Sequence, residues 1–286
     1  TSAQLAALGT ANVTALATGS MSALSSAALV GLSSAEASVL TTGQVTALGS
    51  AQVAALTTAA LAGIGTDITA IGTAAFAGLT STQLAALTTD VAAALTTAQA
   101  SALTATQIKG LSSSDMANLT TGAVSALTTT ALAALTSAQL AALGTANVTA
   151  LATGSMSALS SAALAGLSSA EVSALDTNIL GLQPSQFAAL TSQAIAGLTT
   201  GAATGLTTAD VIALTTSETA AISTAAVSAL LATQITSFTS AQIPALTTAQ
   251  ISALSTTQVG YFTNAQVPYL TNNQLASMTT DQLAAL

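Results

Sequence analysis

The sequence predicts a repeat solenoid of octapeptide units and favours an all-α superhelix of short, capped helices. Three observations support this prediction: a leucine-anchored period of eight residues, a Thr or Ser followed three residues later by Gln within each period, and a long internal duplication. Self-similarity at a short fixed period is typical of solenoids, in which each unit packs mainly on its neighbours.

The period of eight covers the whole chain. Starting at Leu8, a Leu or a similar apolar residue recurs every eight residues, with two seven-residue steps at 64–71 and 175–182. Thirty-four units of eight and two of seven account for all 286 residues. We therefore expect a single continuous repeat domain over 1–286, with no linker and no second domain.

A longer duplication is superimposed on the octapeptide. Residues 1–29 and 136–164 are identical, and both read TSAQLAALGTANVTALATGSMSALSSAAL. Such a duplication indicates that the units are structurally equivalent wherever they occur in the chain.

The pattern within the unit favours a helix. Counting the anchoring Leu as position 1, positions 2 and 3 are mostly Thr, Ser or Gly, position 5 is often Gln, position 6 is apolar, and position 8 is usually Ala or Gly. Thr or Ser at position 2 with Gln or Glu three residues later forms a capping box, as in TSAQL at 136–140. Position 6 and the next position 1 then lie three apart on one helical face.

The rarer residues fit the same interpretation. All nine acidic residues, including Asp176, lie at positions 2, 4 or 5, near the predicted helix N-termini, and Lys109 lies at position 7, towards the C-terminal end. Pro184 falls at the first helical position, where its missing N–H is harmless. Glycine at position 2, as in Gly49 and Gly144, suits a residue that ends one helix and caps the next.

A β-solenoid is the alternative. Stacked Gln at position 5 could form an amide ladder, and Thr, Val and Ile are good strand residues. Pro244 and Pro268 favour this alternative because they fall at position 7, inside the proposed helix. Two observations argue against a β-solenoid. Positions 1 and 6 would lie on opposite faces of a single strand, so each unit would need a corner between them. Ala, which is abundant, is a poor strand former.

The composition excludes most kinds of catalytic site, metal site and nucleic-acid-binding site. The chain has one basic residue, nine acidic residues, no His and no Cys, and only 3% of its residues are charged. It therefore lacks imidazole and thiolate ligands and a Ser–His pair, and its net charge of −8 disfavours nucleic acid. Apolar runs are interrupted about every eight residues, far short of a membrane span. We predict no enzyme, no catalytic, cofactor-binding or metal-ligating residue, no cofactor, no nucleic-acid partner and no transmembrane segment.

The C-terminal part of the chain is the region that we expect to contact other subunits. Residues 238–286 diverge from the rest and concentrate aromatic side chains, among them Tyr261, Phe262 and Tyr269. Tyr261 and Tyr269 are eight apart at position 8, so we expect them on the same side of successive units. These residues form either a terminal cap or an interface between subunits, because Tyr is enriched in interfaces. The Thr and Ser rows could contact glycans, although helix capping explains the same residues.

The LTTAQVxAL-like period and the composition resemble those of large Ala/Thr/Ser-rich bacterial cell-surface or secreted repeat proteins, which are adhesin-like or S-layer-like. The resemblance implies an extracellular or cell-surface location. We expect the partners to be copies of the same chain, in a homo-oligomer or homopolymer, together with contacts to the cell surface or to glycans. The resemblance also implies a structural function in a self-assembling filament or surface layer. The alternative is a rigid spacer, stalk or binding segment of a larger adhesin, and the absence of an initial Met predicts a processed product or a segment of something longer.

Overall fold

The fold is all-α. The structure is a computed structural model that describes all 286 residues, and it contains 32 short α-helices, four 3₁₀ helices and no strand. None of these helices has the length and apolarity that crossing a membrane requires. The predicted all-α solenoid of short helices is confirmed, and the β-solenoid alternative is wrong.

The chain divides into two compact units, Thr1–Ala150 and Leu151–Leu286. The octapeptide period runs through both units, and the divergent residues 238–286 lie within the second. The single continuous domain over 1–286 stays a prediction.

The first unit has eighteen α-helices and the 3₁₀ helix Gly65–Ala70. Its α-helices are Ser2–Ala6, Gly9–Thr14, Thr18–Ala23, Ser26–Leu29, Ser34–Ala37, Thr42–Thr46, Ser50–Ala55, Thr58–Ile64, Thr73–Phe76, Ser81–Ala85, Thr89–Ala94, Thr97–Ser101, Ala105–Ile108, Ser113–Asn118, Thr121–Ser125, Thr129–Ala133, Ser137–Ala142 and Gly144–Val148.

The second unit has the remaining α-helices and the 3₁₀ helices Asp176–Gly181, Ile243–Ala245 and Val267–Tyr269. Its α-helices are Thr153–Met156, Ser161–Leu164, Ser169–Leu175, Pro184–Phe187, Ser192–Ile195, Thr200–Gly205, Thr208–Ala213, Thr216–Ala221, Thr224–Ser228, Ala232–Ser237, Thr248–Ala253, Thr256–Val259, Asn272–Ser277 and Thr280–Ala285.

Most α-helices begin with a Thr or Ser N-cap, and in many of them Gln, Glu or Asp three residues later completes the predicted capping box. In the unit that starts at Leu40, the Thr41 hydroxyl accepts a hydrogen bond from the Gln44 backbone N–H at 3.3 Å, and Gln44 Oε1 accepts one from the Thr41 N–H at 2.8 Å. Gly49 is an N-cap without a side chain, and its N–H still donates to Gln52 Oε1 at 2.8 Å. These bonds use groups of one unit only, and this local satisfaction of the backbone explains why the helix forms instead of a strand.

The predicted places of the charges and of Pro184 are confirmed. All nine acidic residues lie in the first turn of an α-helix or a 3₁₀ helix. Lys109 is the C-cap of Ala105–Ile108, and Pro184 is the first residue of its helix. Acidic residues at N-termini and a basic residue at a C-terminus complement the helix dipole.

Each helix packs against the helix three units away. In the first unit Thr97–Ser101 contacts Thr121–Ser125, and Thr89–Ala94 contacts Ser113–Asn118. Together with the side-chain bonds between turns, which span 28 to 31 residues, these contacts show that between three and four octapeptides make one turn of the solenoid. Positions 1 and 6 face the interior, as the 2% and 0% exposed fractions of Leu103 and Ile108 illustrate. Full burial of such a side chain contributes about 1.5–3 kcal/mol.

The seven-residue steps change the local backbone. Each step replaces the capped α-helix by a 3₁₀ helix that begins with a residue of positive φ, Gly65 at 58° and Asp176 at 46°. The preceding residues Ile64 and Leu175 stay helical instead of extending. A positive φ at position 2 also occurs in two full octapeptides, at Gly9 and Gly144, so it accompanies the seven-residue steps without being specific to them.

Pro244 and Pro268 are accommodated without strands. Each lies in a three-residue 3₁₀ helix, Ile243–Ala245 or Val267–Tyr269, where an α-helix would need the missing N–H. The cap of the first of these units persists, because Gln242 Oε1 still accepts from the Thr239 N–H at 2.9 Å. The two prolines shorten their helices and leave the repeat unchanged.

Candidate interaction surfaces

The buried polar side chains form one row along the repeat. With the exception of Thr219, every buried polar or charged side chain occupies position 5. Gln139 shows the arrangement: its Oε1 accepts from the Thr136 N–H at 3.0 Å, and its Nε2 donates to the carbonyl oxygens of Ile108 and Leu111 at 2.7 and 2.8 Å. One side chain thus caps its own helix and links it to the preceding turn. The sequence pattern predicts the cap but not this second role.

Acidic residues take position 5 in five units. They are Glu36, Asp115, Glu171, Asp210 and Glu218, and all five are buried. Like the Gln side chain, a carboxylate can accept the hydrogen bond from the N-cap backbone N–H. Unlike Gln, it has no N–H group to donate to the carbonyl oxygens of the preceding turn.

Glu36 has found a different partner in the preceding turn. Its Oε2 accepts from the Ser33 hydroxyl and N–H at 2.7 and 2.9 Å, and its Oε1 accepts from the Gly9 N–H at 3.2 Å. The Ser33 hydroxyl contributes most to lowering the pKa of Glu36, its backbone N–H contributes next, and the Gly9 N–H adds to them, while burial opposes the shift. In Glu171, by contrast, the buried Oε1 has no hydrogen-bond partner.

The acidic side chains do not converge. The structure has no group of three or more His, Cys, Asp or Glu residues that could hold a metal ion. The nine carboxylates lie in nine different units of the 36, and each is in the first turn of a helix. The carboxylates at position 5 accept hydrogen bonds at helix N-termini, and that of Glu36 also joins its helix to the preceding turn.

Lys109 lies between two shallow grooves of the first unit. Its exposed side chain borders a groove of about 540 Å³ next to Thr129 and Ala133 and another of about 470 Å³ next to Ser81 and Ala85. Both grooves are open to solvent and are lined mostly by methyl and hydroxyl groups. They are parts of the surface between helices rather than enclosed binding sites.

The three aromatic residues of the predicted interface differ in exposure. Tyr269 is 48% exposed and Tyr261 is half-buried, whereas Phe262 is only 5% exposed. Phe262 occupies position 1 and therefore takes the place of the anchoring Leu in the interior. Tyr269 presents a surface to solvent, and the interface itself stays a prediction.

The duplicated sequence has two different environments within the first unit. Gln139 and Asn147 are buried, whereas the equivalent residues Gln4 and Asn12 are exposed. Asn147 Nδ2 donates to the Leu119 carbonyl oxygen at 2.8 Å. Asn12 Nδ2 turns back to Leu8 in its own turn, at 2.7 Å. The first turn therefore exposes amide groups and apolar surface that the identical later segment buries.

The fold and the row of bridging side chains define an all-α octapeptide-repeat protein. A family model for the ALTTAQ repeat matches residues 240–272. The letters ALTTAQ occur at 94–99 and 245–250, where they place Leu at position 1, Thr at the N-cap and Gln at the bridging position 5. No curated protein and no solved structure matches the chain.

Proposed function

We propose that this chain is a non-enzymatic structural protein that self-assembles into an extracellular filament or surface layer. The observation that carries the proposal is the row of position-5 side chains, in which the buried polar groups are used to cap helices and to join turns. Gln250 is typical, with Oε1 bound to the Thr247 N–H and Nε2 bound to the carbonyl oxygens of Thr219 and Ile222. The hydrogen-bonding groups of these buried side chains therefore serve to hold the solenoid together.

The surface supports association between copies. Only five charged side chains are exposed, over an accessible surface of 11122 Å². They are Asp67, Asp90, Lys109, Asp176 and Asp281. A surface with so few charges opposes contact between copies only weakly, because like-charge repulsion is what keeps most proteins apart.

Electron microscopy of the purified chain over a concentration series tests this function. We expect filaments or sheets at high concentration, with a mass distribution in light scattering that grows with concentration. The matched control is a variant with charges added at exposed positions far from any helix cap, which should shift assembly to higher concentration. A chain that stays monomeric throughout contradicts self-assembly and favours the rigid spacer or stalk of a larger adhesin.

A further inference from the structure

We propose that the side chain at position 5 sets the orientation of a peptide group in the preceding turn, and that Glu36 thereby makes the Leu8–Gly9 peptide group a proton-sensitive switch. While Glu36 is a carboxylate, the peptide group presents its N–H to that side chain. When Glu36 is protonated, the peptide group turns over and presents the Leu8 carbonyl oxygen instead. All three residues belong to the first unit, so the switch needs no second copy of the chain.

The ordinary orientation is seen where a glutamine meets a position-2 glycine. Ile71 has φ −64° and ψ 120°, and Gly72 has φ −59°. With these angles the Ile71 carbonyl oxygen accepts a hydrogen bond from Gln99 Nε2 at 3.1 Å. The peptide group between Ile71 and Gly72 thus turns its acceptor towards an amide donor of the next turn.

The reversed orientation is seen where a glutamate meets a position-2 glycine. Leu8 has φ −69° and ψ −37°, and Gly9 has φ 72°. The Gly9 N–H now donates to Glu36 Oε1 at 3.2 Å. The φ of the residue before the glycine hardly differs from the ordinary case, whereas its ψ and the φ of the glycine both change greatly. The two arrangements are therefore related by rotation of one peptide group.

The combination of glutamate and reversed peptide group recurs. Glu171 follows Gly144 by 27 residues, as Glu36 follows Gly9. Gly144 has φ 67°, and Leu143 before it has ψ −34°. Both glutamates that follow a position-2 glycine at this spacing are thus accompanied by the reversed orientation.

The glycine is the second requirement. Glu218 follows Thr191 by 27 residues, and Thr191 keeps the ordinary φ of −76°. A residue with a Cβ rarely adopts a positive φ, whereas glycine adopts both signs readily. The other two residues of positive φ, Gly65 and Asp176, lie in the seven-residue steps and donate their N–H groups to carbonyl oxygens of their own helices.

Protonation gives Glu36 the hydrogen-bonding character of a glutamine. A carboxylate only accepts hydrogen bonds, but a carboxyl group has an O–H that donates, as the amide of Gln99 does. The helices Gly9–Thr14 and Thr58–Ile64, which pack on Ser34–Ala37, carry no titratable side chain, and Glu36 is alone in its own helix. The orientation of the peptide group therefore follows the protonation of Glu36 itself.

Selective labelling makes the peptide group observable in the full chain. Leucine labelled with ¹³C at the carbonyl carbon, together with ¹⁵N-glycine, gives NMR signals only from peptide groups between Leu and Gly. Residual dipolar couplings, measured below the concentration at which the chain assembles, give the sign of φ at each glycine. The chain has four such peptide groups, Leu8–Gly9, Leu48–Gly49, Leu143–Gly144 and Leu180–Gly181.

The variant Glu36→Gln imitates the protonated side chain at neutral pH. We expect φ of Gly9 to change from positive to negative, while Gly144 stays positive and Gly49, at −87°, stays ordinary. On acidification of the natural chain, the Gly9 signal should move to its position in the variant as the Glu36 carboxyl signal titrates. A positive φ of Gly9 in the variant means that the local sequence sets the orientation, and it overturns the switch. A Gly9 signal that stays in place while Glu36 is protonated overturns it as well.

The reverse exchange tests the same relationship at an ordinary peptide group. In Gln99→Glu we expect Gly72 to acquire a positive φ at neutral pH, and labelling of Ile and Gly isolates this signal from all but Ile64–Gly65. The matched control is Gln99→Met, which removes the amide without adding a carboxylate and should leave Gly72 ordinary. A folded Gln99→Glu chain in which Gly72 keeps a negative φ contradicts the proposal, and so does a positive φ in both variants.

Discussion

Gln139 Nε2 lies 2.8 Å from the carbonyl oxygen of Leu111, a residue 28 positions earlier in the chain. The Leu111 carbonyl oxygen accepts no backbone hydrogen bond, so this side-chain amide satisfies a group that secondary structure leaves free. Repetition of this bond, wherever position 5 is Gln, ties successive turns together. In these units the capping box stabilises the helix and the bridging bond joins it to the preceding turn.

Replacing the bridging amide should therefore destabilise the fold, and the duplication provides a matched control. Gln139→Glu keeps the acceptor for Thr136 but aims a carboxylate at the carbonyl oxygens of Ile108 and Leu111. We expect a loss of about 1–3 kcal/mol in unfolding free energy. Gln4→Glu, in the same local sequence but exposed, should change it by less than about 0.5 kcal/mol. Denaturant unfolding in dilute solution, with hydrogen exchange over 136–142, measures both, and equal effects would contradict the bridging role.

The sequence predicts the capped helix well because a cap depends only on residues of one unit. The three-residue spacing of Thr136 and Gln139 is enough to specify it. The bridge joins residues 28 to 31 apart, and the period of eight does not reveal how many units make one turn. The sequence does not predict the exposure of the first turn either, because Gln4 and Gln139 have the same neighbours in sequence and differ only in the residues that cover them.

Glu36 should make stability depend on pH in the acid range. Its pKa is lowered in the folded chain from the ordinary value of 4.5, chiefly by the Ser33 hydroxyl. A lowered folded pKa means that the charged carboxylate stabilises the fold above about pH 4.5 and that this contribution is lost as the pH falls through the folded pKa. Glu36→Gln should thus lose less stability than the natural chain between neutral pH and pH 2.

The comparison is made by denaturant unfolding at a series of pH values. Ser33→Ala is the second variant: it removes the largest contributor and should raise the pKa of Glu36, which NMR titration of the carboxyl group reports. Parallel pH profiles for the natural chain and Glu36→Gln would show that the hydrogen bonds to Glu36 do not favour its charged form.

Gly110 marks a close approach between turns. A Cβ at this position would lie 2.3 Å from the backbone oxygen of Ser81, in the turn before. Gly110→Ala must push two backbones apart, and we expect a loss of about 1–3 kcal/mol or more. Gly19→Ala is the control, since a Cβ there meets nothing within 4 Å and a helical Ala should stabilise by about 0.5–1 kcal/mol. Thermal unfolding of the two variants should shift in opposite directions, and a shift in the same direction would contradict the close approach.

The seven-residue step at 64–71 should depend on the left-handed backbone of Gly65. With φ at 58° and ψ at −137°, this residue lies in a region that side chains with a Cβ rarely adopt, although open space surrounds it. Gly65→Ala should therefore cost about 1–3 kcal/mol through backbone strain alone. Gly72→Ala, seven residues further on, also meets open space but has φ at −59°, so it should be neutral or slightly stabilising. Denaturant unfolding compares the two, and equal midpoints would mean that the shortened unit relaxes into another conformation without needing a left-handed residue.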